Sequence, residues 1–525
     1  MQRRSLLLGA ASALAAPAIA RAQGTGLLRF TPSAAINILD PVHGATLITR
    51  QHSLAIYDTL YGIDDDWVPQ PQMAEGHVIE NDGRTWRITL RDGLKFHDGT
   101  PVLARDVVAS LKRWGKRDVL GQTLFDTTDE LSAASDHVLV WRLKRPFPLL
   151  PEALGKMNNT IAAIMPERVA QTDAFTAITD LTGSGPFRFL TNEHVPGVKL
   201  PYEKFQGYVP RSDGTPSLMA GPKIVHFDRL EWTVMPDVST AAAALGAGEI
   251  DWWQAPTADQ IPLLRKNAAL KLDVLDKSGM VGVVRFNFLL PPFDKPAVRR
   301  AALASISQTD IMSVVAGTDP SMWRAPCGFF PPGTPMANDA GMQALKDPPD
   351  LDAARRMLAA SGYAGEKIAF FVASEIATLS HQAEVVIDGF RKIGFAVDYV
   401  PLATSVIDSR LANNGPVDKG GWNAFASSNT GYSAATPVAN NFMRGSGSRA
   451  IFGWPDIPRI EELRDAYLSA PDVAAQKAIC RDLQGVAFDT LPYLPTGLWL
   501  QPTAYRTSLA DVRRGFPQFY GVRRV

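Results

Sequence analysis

The chain has 525 residues, 46% of them hydrophobic, and its 53 lysines and arginines equal its 53 acidic residues. That length leaves room for about two to four domains with large cores. The charge balance argues against nucleic acid or an anionic membrane surface as the partner. Cys327 and Cys480 are the only thiols, and no Cys-x-x-Cys motif is present.

In chain order, Met1 to Ala22 reads as an export signal, not a membrane anchor. Arg3 and Arg4 open it, residues 5–16 are apolar or small, and Ala20-Arg21-Ala22 offers a cleavage site. Its apolar core is shorter than the roughly 20 residues that span a bilayer. Gln2-Arg3-Arg4-Ser5-Leu6-Leu7 is similar to a twin-arginine signal, and a general secretion signal with two arginines fits equally. No cysteine follows, so no lipid anchor is expected, and the reading is a soluble periplasmic protein. Cleavage removes three arginines and no acid, leaving the mature chain slightly acidic. Export permits a disulfide. The wide sequence separation of Cys327 and Cys480 leaves a bridge and two isolated thiols both open.

Residues 82–114 hold the most informative stretch. Trp86, Ile88 and Leu90 alternate with polar neighbours, the period of a half-buried strand. Asp92-Gly93 supplies a tight turn, Leu94 and Phe96 continue the strand, and Asp98-Gly99 turns again. From Ala104 onward Val107, Val108, Leu111 and Trp114 fall at helical spacing. Leu103 stands where an N-cap belongs, so the cap must come from elsewhere, with Thr100 the nearest candidate. Further on, Pro and Gly cluster at 196–222 and 326–349, which read as long connections. Short strands and helices alternate between them, so the class is α/β.

The 82–114 segment is similar to the signature of the family 5 extracellular solute-binding proteins, the peptide- and nickel-binding receptors of bacterial ABC importers. Eight more segments resemble that family in order. They are Leu39-Asp40-Pro41, Tyr57-Asp58-Thr59-Leu60 (like its Tyr-Glu-x-Leu helix), Gly183-Ser184-Gly185-Pro186-Phe187 and Ala244 to Asp251. Then follow Pro291-Pro292-Phe293-Asp294 through Ala301, Asp352 to Tyr363, Gly394-Phe395-Ala396-Val397 and Leu491-Pro492-Tyr493-Leu494-Pro495. The resemblance implies a two-lobed periplasmic binding protein fold of the cluster C type. Residues 23–50, 180–277 and 493–525 would form lobe I, 51–179 an extra subdomain of it, and 278–492 lobe II. The crossings between lobes would fall near 277–281 and 490–495.

No constellation amounts to a catalytic or metal set. The eight histidines include no His-Glu-x-x-His, and neither a phosphate-binding Gly-x-x-x-x-Gly-Lys-Ser/Thr loop nor a Gly-x-Ser-x-Gly elbow occurs. His97 reads as a histidine satisfied by backbone in a tight turn. Asp64-Asp65-Asp66 lacks the spaced ligands and distal Glu of a calcium loop and reads as a solvated turn. No cofactor is expected.

Ligand contacts are sought instead among aromatic residues beside glycines. Gly420-Gly421-Trp422-Asn423-Ala424-Phe425 aligns with the Gly-Trp-x-x-Asp segment whose carboxylate, in peptide-binding members, anchors the ligand's α-ammonium group. Phe425 stands at that Asp, which puts peptides with a free N-terminus in doubt, because a buried ammonium needs an anion. Trp422, Asn423 and Phe425 are therefore candidate contacts for a neutral, aromatic or N-blocked ligand, with core packing as the alternative. Trp252 and Trp253 adjoin on a strand and must point to opposite faces; Trp253 is the candidate and Trp252 the core residue. Tyr432 and Trp323, in Gly/Pro-rich loops, and Ala35 and Asn37, before Leu39-Asp40-Pro41, complete the set. The function implied is capture of a small peptide or peptide-like solute between hinged lobes and delivery to an inner-membrane ABC permease. The protein would act as a monomer, not as an enzyme. A receptor of the same fold for an opine, sugar or nickel complex, and a secreted hydrolase or chaperone, are the alternatives.

Overall fold

The structure is a computed structural model that describes residues 26–44, 46–158 and 160–525. The export-signal reading of residues 1–22 lies outside the described residues. No helix among those described is long and apolar enough to cross a membrane.

Among the described residues the chain builds two large sheets, a four-stranded one and two two-stranded pairs. The first has seven strands, ordered Leu270–Asp273, Thr503–Arg506, Trp252–Trp253, Leu27–Thr31, Arg229–Thr233, Lys199–Lys204 and Phe187–Phe189. Leu27–Thr31 runs parallel to both its neighbours. The second has six, ordered Trp323–Arg324, Leu494–Trp499, Met280–Phe286, Ala424–Thr430, Ile368–Ala373 and Val397–Leu402. The third is an antiparallel set of four: Ala74–Glu80, Thr85–Leu90, Val138–Leu143 and Thr128–Ala133.

The 82–114 segment shows why sequence pattern and fold agree here. Trp86, Ile88 and Leu90 are buried, and Arg87 and Thr89 are exposed, along Thr85–Leu90. Leu94 and Phe96 are buried too, but they do not extend a strand; only an isolated bridge joins Lys95 to Pro101. The helix Ala104–Gly115 buries Val107, Leu111 and Trp114. Its free N-terminal N–H groups are not served by Thr100, whose hydroxyl bonds Asp98 instead. Asp106, one turn in, accepts from the N–H of Leu103 at 2.9 Å, so the cap is reached from inside the helix.

His97 ties this segment to the Gly-Ser-Gly turn. Its Nδ1 accepts from the N–H of Gly183 at 3.1 Å, and its Nε2 lies 3.0 Å from the carbonyl of Gly185. That pattern requires a neutral ring with the proton on Nε2, and burial lowers its pKa to about 4. A Cβ on Gly183 would lie 1.8 Å from the Ile56 carbonyl oxygen, so only glycine fits.

Three other sequence expectations are revised. The connection expected at 196–222 contains the strand Lys199–Lys204, whose buried Leu200 and Tyr202 outweigh the flanking turn residues. Tyr57 to Leu60 is not helical; the helix is Leu47–Ile56, with Tyr57 already extended as its C-cap. Leu494–Trp499, expected with lobe I, pairs with Met280–Phe286 in the six-stranded sheet. The chain therefore passes between the large sheets at residues 274–279 and again at 500–502, not at 490–495. Cys327 and Cys480 are both free and buried.

Candidate functional site

A cavity of about 260 Å³ lies where the two large sheets face each other. In the seven-stranded sheet it sits beyond the carboxyl ends of the parallel strands Leu27–Thr31 and Trp252–Trp253, at Ser33, Gln254 and Ala255. There the backbone of parallel strands leaves unpaired groups and room for a ligand. The six-stranded sheet contributes Met280, Ser428, Thr430 and Trp499, and the start of helix Ala377–Ile393 adds Thr378 and Leu379. The two crossings contribute Leu275, Asp276, Gly279 and Gln501.

Helix Leu47–Ile56 closes one wall with Leu47 and Gln51. It is capped by Thr46, whose side chain accepts from the N–H of Thr49, and it carries five consecutive buried polar residues, Thr49 to Ser53. His52 pairs with the Tyr202 hydroxyl at 2.8 Å. Gln51 has no such partner. It is 1% exposed, and neither Oε1 nor Nε2 of its amide makes a hydrogen bond.

Asp276 is the only charged side chain bordering the cavity among the described residues. Its Oδ1 accepts from the N–H of Ser278 at 2.8 Å and from the Ser278 hydroxyl at 2.5 Å. Burial pushes its carboxyl above the ordinary range, against the pull of those bonds and of the nearby Arg50. Arg50 is buried behind the wall beside Phe516, and desolvation lowers it to about 10 while Asp276 pulls the other way.

None of the eight residues chosen from sequence borders this cavity. The strand Ala424–Thr430 stays paired with Met280–Phe286 over all its length, and it reaches the cavity only toward its end, at Ser428 and Thr430. Trp422 and Phe425 lie at its far end, packed edge to face at 5.1 Å in a cluster with Phe371 and Ile407. Asn423 is buried as a sheet brace, accepting from Ala369 N–H and donating to Pro291 O. Trp252 and Trp253 do point to opposite faces. Trp252 joins the main core beside Phe30, and Trp253 packs with Leu245 under helix Val238–Ala247. The next residue, Gln254, is the one that reaches the cavity, with its Oε1 accepting from Ser33 N–H at 3.0 Å. Trp323 is the cross-strand neighbour of Trp499, and Trp499 borders the cavity while the Trp323 indole donates to Gly317 O. Ala35 and Asn37 lie on an exposed loop just past Ser33. Tyr432 borders a separate cavity and packs against Trp67, with ring centroids 4.9 Å apart and planes tilted by 42°.

Asp64 to Asp66 form a turn in which Asp64 accepts from the N–H groups of Asp66 and Val68. No group of three metal-ligating side chains occurs among the described residues.

Comparison with known proteins agrees with this architecture. Residues 68–451 match the model of the bacterial extracellular solute-binding proteins, family 5. A probable peptide ABC transporter periplasmic-binding protein of Sinorhizobium fredii is 33% identical, with 98% of this chain and 97% of that one covered. The glutathione-binding protein of Salmonella typhi is 24% identical over 90% of this chain and 92% of its own. Among solved structures, the binding protein AgaA of A. tumefaciens R10 in complex with agropinic acid superposes with a TM-score of 0.78. The two are 21% identical, and the match covers 95% of this chain and 99% of that one. DppA from Helicobacter pylori in complex with the peptide STSA superposes with a TM-score of 0.76, at 18% identity over 95% and 98% of the chains. The fold is that of the two-lobed periplasmic binding proteins. The chain belongs to family 5 of the bacterial extracellular solute-binding proteins, the binding components of ABC importers.

Proposed function

We propose that this protein captures a peptide-like solute in the cavity between its sheets and delivers it to an inner-membrane ABC permease, without chemical turnover. Gln51 carries the ligand class. A buried amide with donor and acceptor both unpaired is costly unless a ligand completes it. The ligand group that completes both at once is another amide, with its own N–H and C=O side by side. The cavity volume of about 260 Å³, just below the roughly 300–1,000 Å³ usual for ligand sites, suits a solute no larger than a dipeptide. Apolar walls from Leu47, Leu379, Trp499 and Phe516 supply burial, and Asp276 offers its free Oδ2 to an ammonium group. The anion missing at Phe425 is in this reading replaced from the opposite wall, so peptides with a free N-terminus are again candidates. The names of the relatives, one for peptides and one for glutathione, support the same class.

The lobes in this reading are 23–50, 180–277 and 500–525 for lobe I, 51–179 for its extra subdomain and 278–499 for lobe II. They hinge at 274–279 and 500–502, with ligand favouring the closed member of the two states. The protein is exported on residues 1–22 and works as a monomer.

Mass spectrometry of solute carried through native purification identifies the ligand, and calorimetry then measures it. Gln51→Ala should weaken binding by about 1–3 kcal/mol while leaving stability unchanged or higher, since neither amide atom has a partner to lose. Asp276→Asn should weaken a ligand with a free amine and spare an N-acylated one. A Gln51→Ala protein that binds as tightly as wild type sinks the amide reading. Steady product formation would overturn the receptor reading itself.

A further inference from the structure

A second cavity, of about 360 Å³, shares no lining residue with the first. One wall comes from residues 63–69 and helix Leu150–Gly155. The other comes from Tyr432 and from helices Pro458–Leu468 and Val473–Thr490, which bring Tyr467 and Gln476.

Its chemistry is unusual in one respect. Glu152 borders it and makes no hydrogen bond or ion pair with any described residue, though Lys156 lies one helical turn away. The Lys156 ammonium is already committed, to Asp118 Oδ2 at 2.7 Å and to the carbonyls of Asn158 and Thr160 at 2.8 Å each. The half-buried Glu152 carboxylate therefore borders, without a counter-ion, a cavity whose lining joins the rings and thioethers of Trp67, Tyr432, Tyr467, Met157 and Met336 to the neutral polar groups of Asn158, Thr436 and Gln476. An unneutralised carboxylate in such a setting is costly when empty and attracts a cation. A divalent metal is a poor match, because it needs several oxygen ligands and no triple of ligating side chains exists among the described residues. An organic ammonium is a good one, since its charge meets the carboxylate and its apolar body meets the ring faces.

We propose that this cavity is a second ligand site, for a small organic ammonium ion held between Glu152 and the rings of Trp67, Tyr432 and Tyr467. The site is independent of the solute reading given above. Its two walls belong to segments on either side of the sheet crossings, so an occupant bridges them. By linkage, any cation that favours that arrangement strengthens solute capture by the same factor.

The charge state supplies a signature. Burial raises Glu152 to about 7. The other groups facing it hold steady: burial pushes Tyr432, Tyr467 and Cys480 far up, so they stay neutral, and Lys156 is tied to Asp118. Asp66 sits at the exposed mouth. Cation binding needs ionised Glu152, so affinity should be full above about pH 8 and fall roughly tenfold per unit below pH 7.

Calorimetric titration of the full chain with tetramethylammonium and n-butylammonium chloride, against sodium chloride at equal ionic strength, tests the site. Saturable one-site binding is expected at about pH 8, with a dissociation constant of about 1 mM or lower. Glu152→Gln should weaken it at least tenfold and abolish its pH dependence, and Trp67→Ala should weaken it as well. Glu152→Gln removes a carboxylate that has no partner, so the variant should fold. Gln51→Ala and Asp276→Asn, which alter the other cavity, should bind the probes as wild type does. Three results overturn the proposal: no saturable binding of either ammonium, equal response to sodium, or binding that Glu152→Gln leaves intact. Loss of probe binding in Asp276→Asn but not in Glu152→Gln would place the cation in the first cavity and overturn it too.

Discussion

Trp422→Ala is expected to cost about 3–5 kcal/mol of stability, the range for removing a large aromatic side chain from a packed core. The indole is 0% exposed, packs edge to face on Phe425 and lies 6.2 Å from the ring of Trp454. Its Nε1 donates to the carbonyl of Leu411 at 3.2 Å, so truncation also orphans the end of helix Thr404–Leu411. Urea unfolding measures the shift in midpoint. Solute affinity, measured well below that midpoint, should stay within about twofold, because Trp422 does not border the cavity. Lost affinity with unchanged stability would show that the indole contacts ligand after all. A companion substitution, Phe425→Asp, should not create an amine anchor. Phe425 stands directly opposite Arg285 in the strand ladder, and the Nε and Nη1 of that buried arginine have no partner. A carboxylate at 425 would pair with Arg285 across the ladder, and preference among amine and N-acylated ligands should not change.

Asp40→Ala should destabilise by a similar amount, about 3–5 kcal/mol, by leaving a buried cation without its anion. Asp40 and Arg113 are both buried and join in a two-point pair, Nη1 to Oδ1 at 3.0 Å and Nη2 to Oδ2 at 2.7 Å. Asp40 also accepts from the N–H groups of Val42 and Ile178, and Arg113 donates to the carbonyls of Thr172 and Thr176. The cluster thus pins the loop after Leu27–Thr31, the helix Ala104–Gly115 and the segment at 172–178 to one another. Burial opposes ionisation of Asp40, but the arginine and backbone bonds outweigh it and hold its carboxyl below the ordinary 3.8. Since the folded pKa is the lower one, this stabilisation is complete above about pH 4 and fades as pH falls through the folded value. Wild type and variant should therefore differ most near neutrality and converge in strong acid. A constant gap down to about pH 2 would mean that packing, not charge, holds the cluster.

The segments that local chemistry governs were legible in the sequence. Trp86, Ile88 and Leu90 form a strand because alternation forces one face inward, whereas the backbone that satisfies His97 belongs to the distant turn at Gly183 and Gly185, not to the turn beside it. Register across distant strands was not legible. Whether Phe425 or Ser428 meets the cavity depends on how far Ala424–Thr430 stays paired with a strand well over a hundred residues away. Small displacements of the same kind separate Trp253 from Gln254, one residue on, and Trp323 from Trp499, one strand across. The aromatic candidates stand away from this cavity for a physical reason: indole and phenyl rings fill cores as readily as they line pockets. The better signal was the polar run from Thr49 to Ser53 on a short helix. Buried polar groups need partners, and Gln51 is the member of that run that borders the cavity with both of its amide atoms unpaired.

The three-residue crossing at 500–502 bears on how such a receptor can change its diet. Gln501 borders the cavity and also donates to the carbonyl of Pro256, across the joint between the sheets. In the reading proposed above, a substitution there alters what is recognised and how the joint bends in a single step, and selection cannot separate the two. Leu47, Leu379 and Trp499 are among the apolar residues that border the cavity without belonging to either crossing. Drift toward a new ligand should therefore run through those three positions, with Gln501 the last to change.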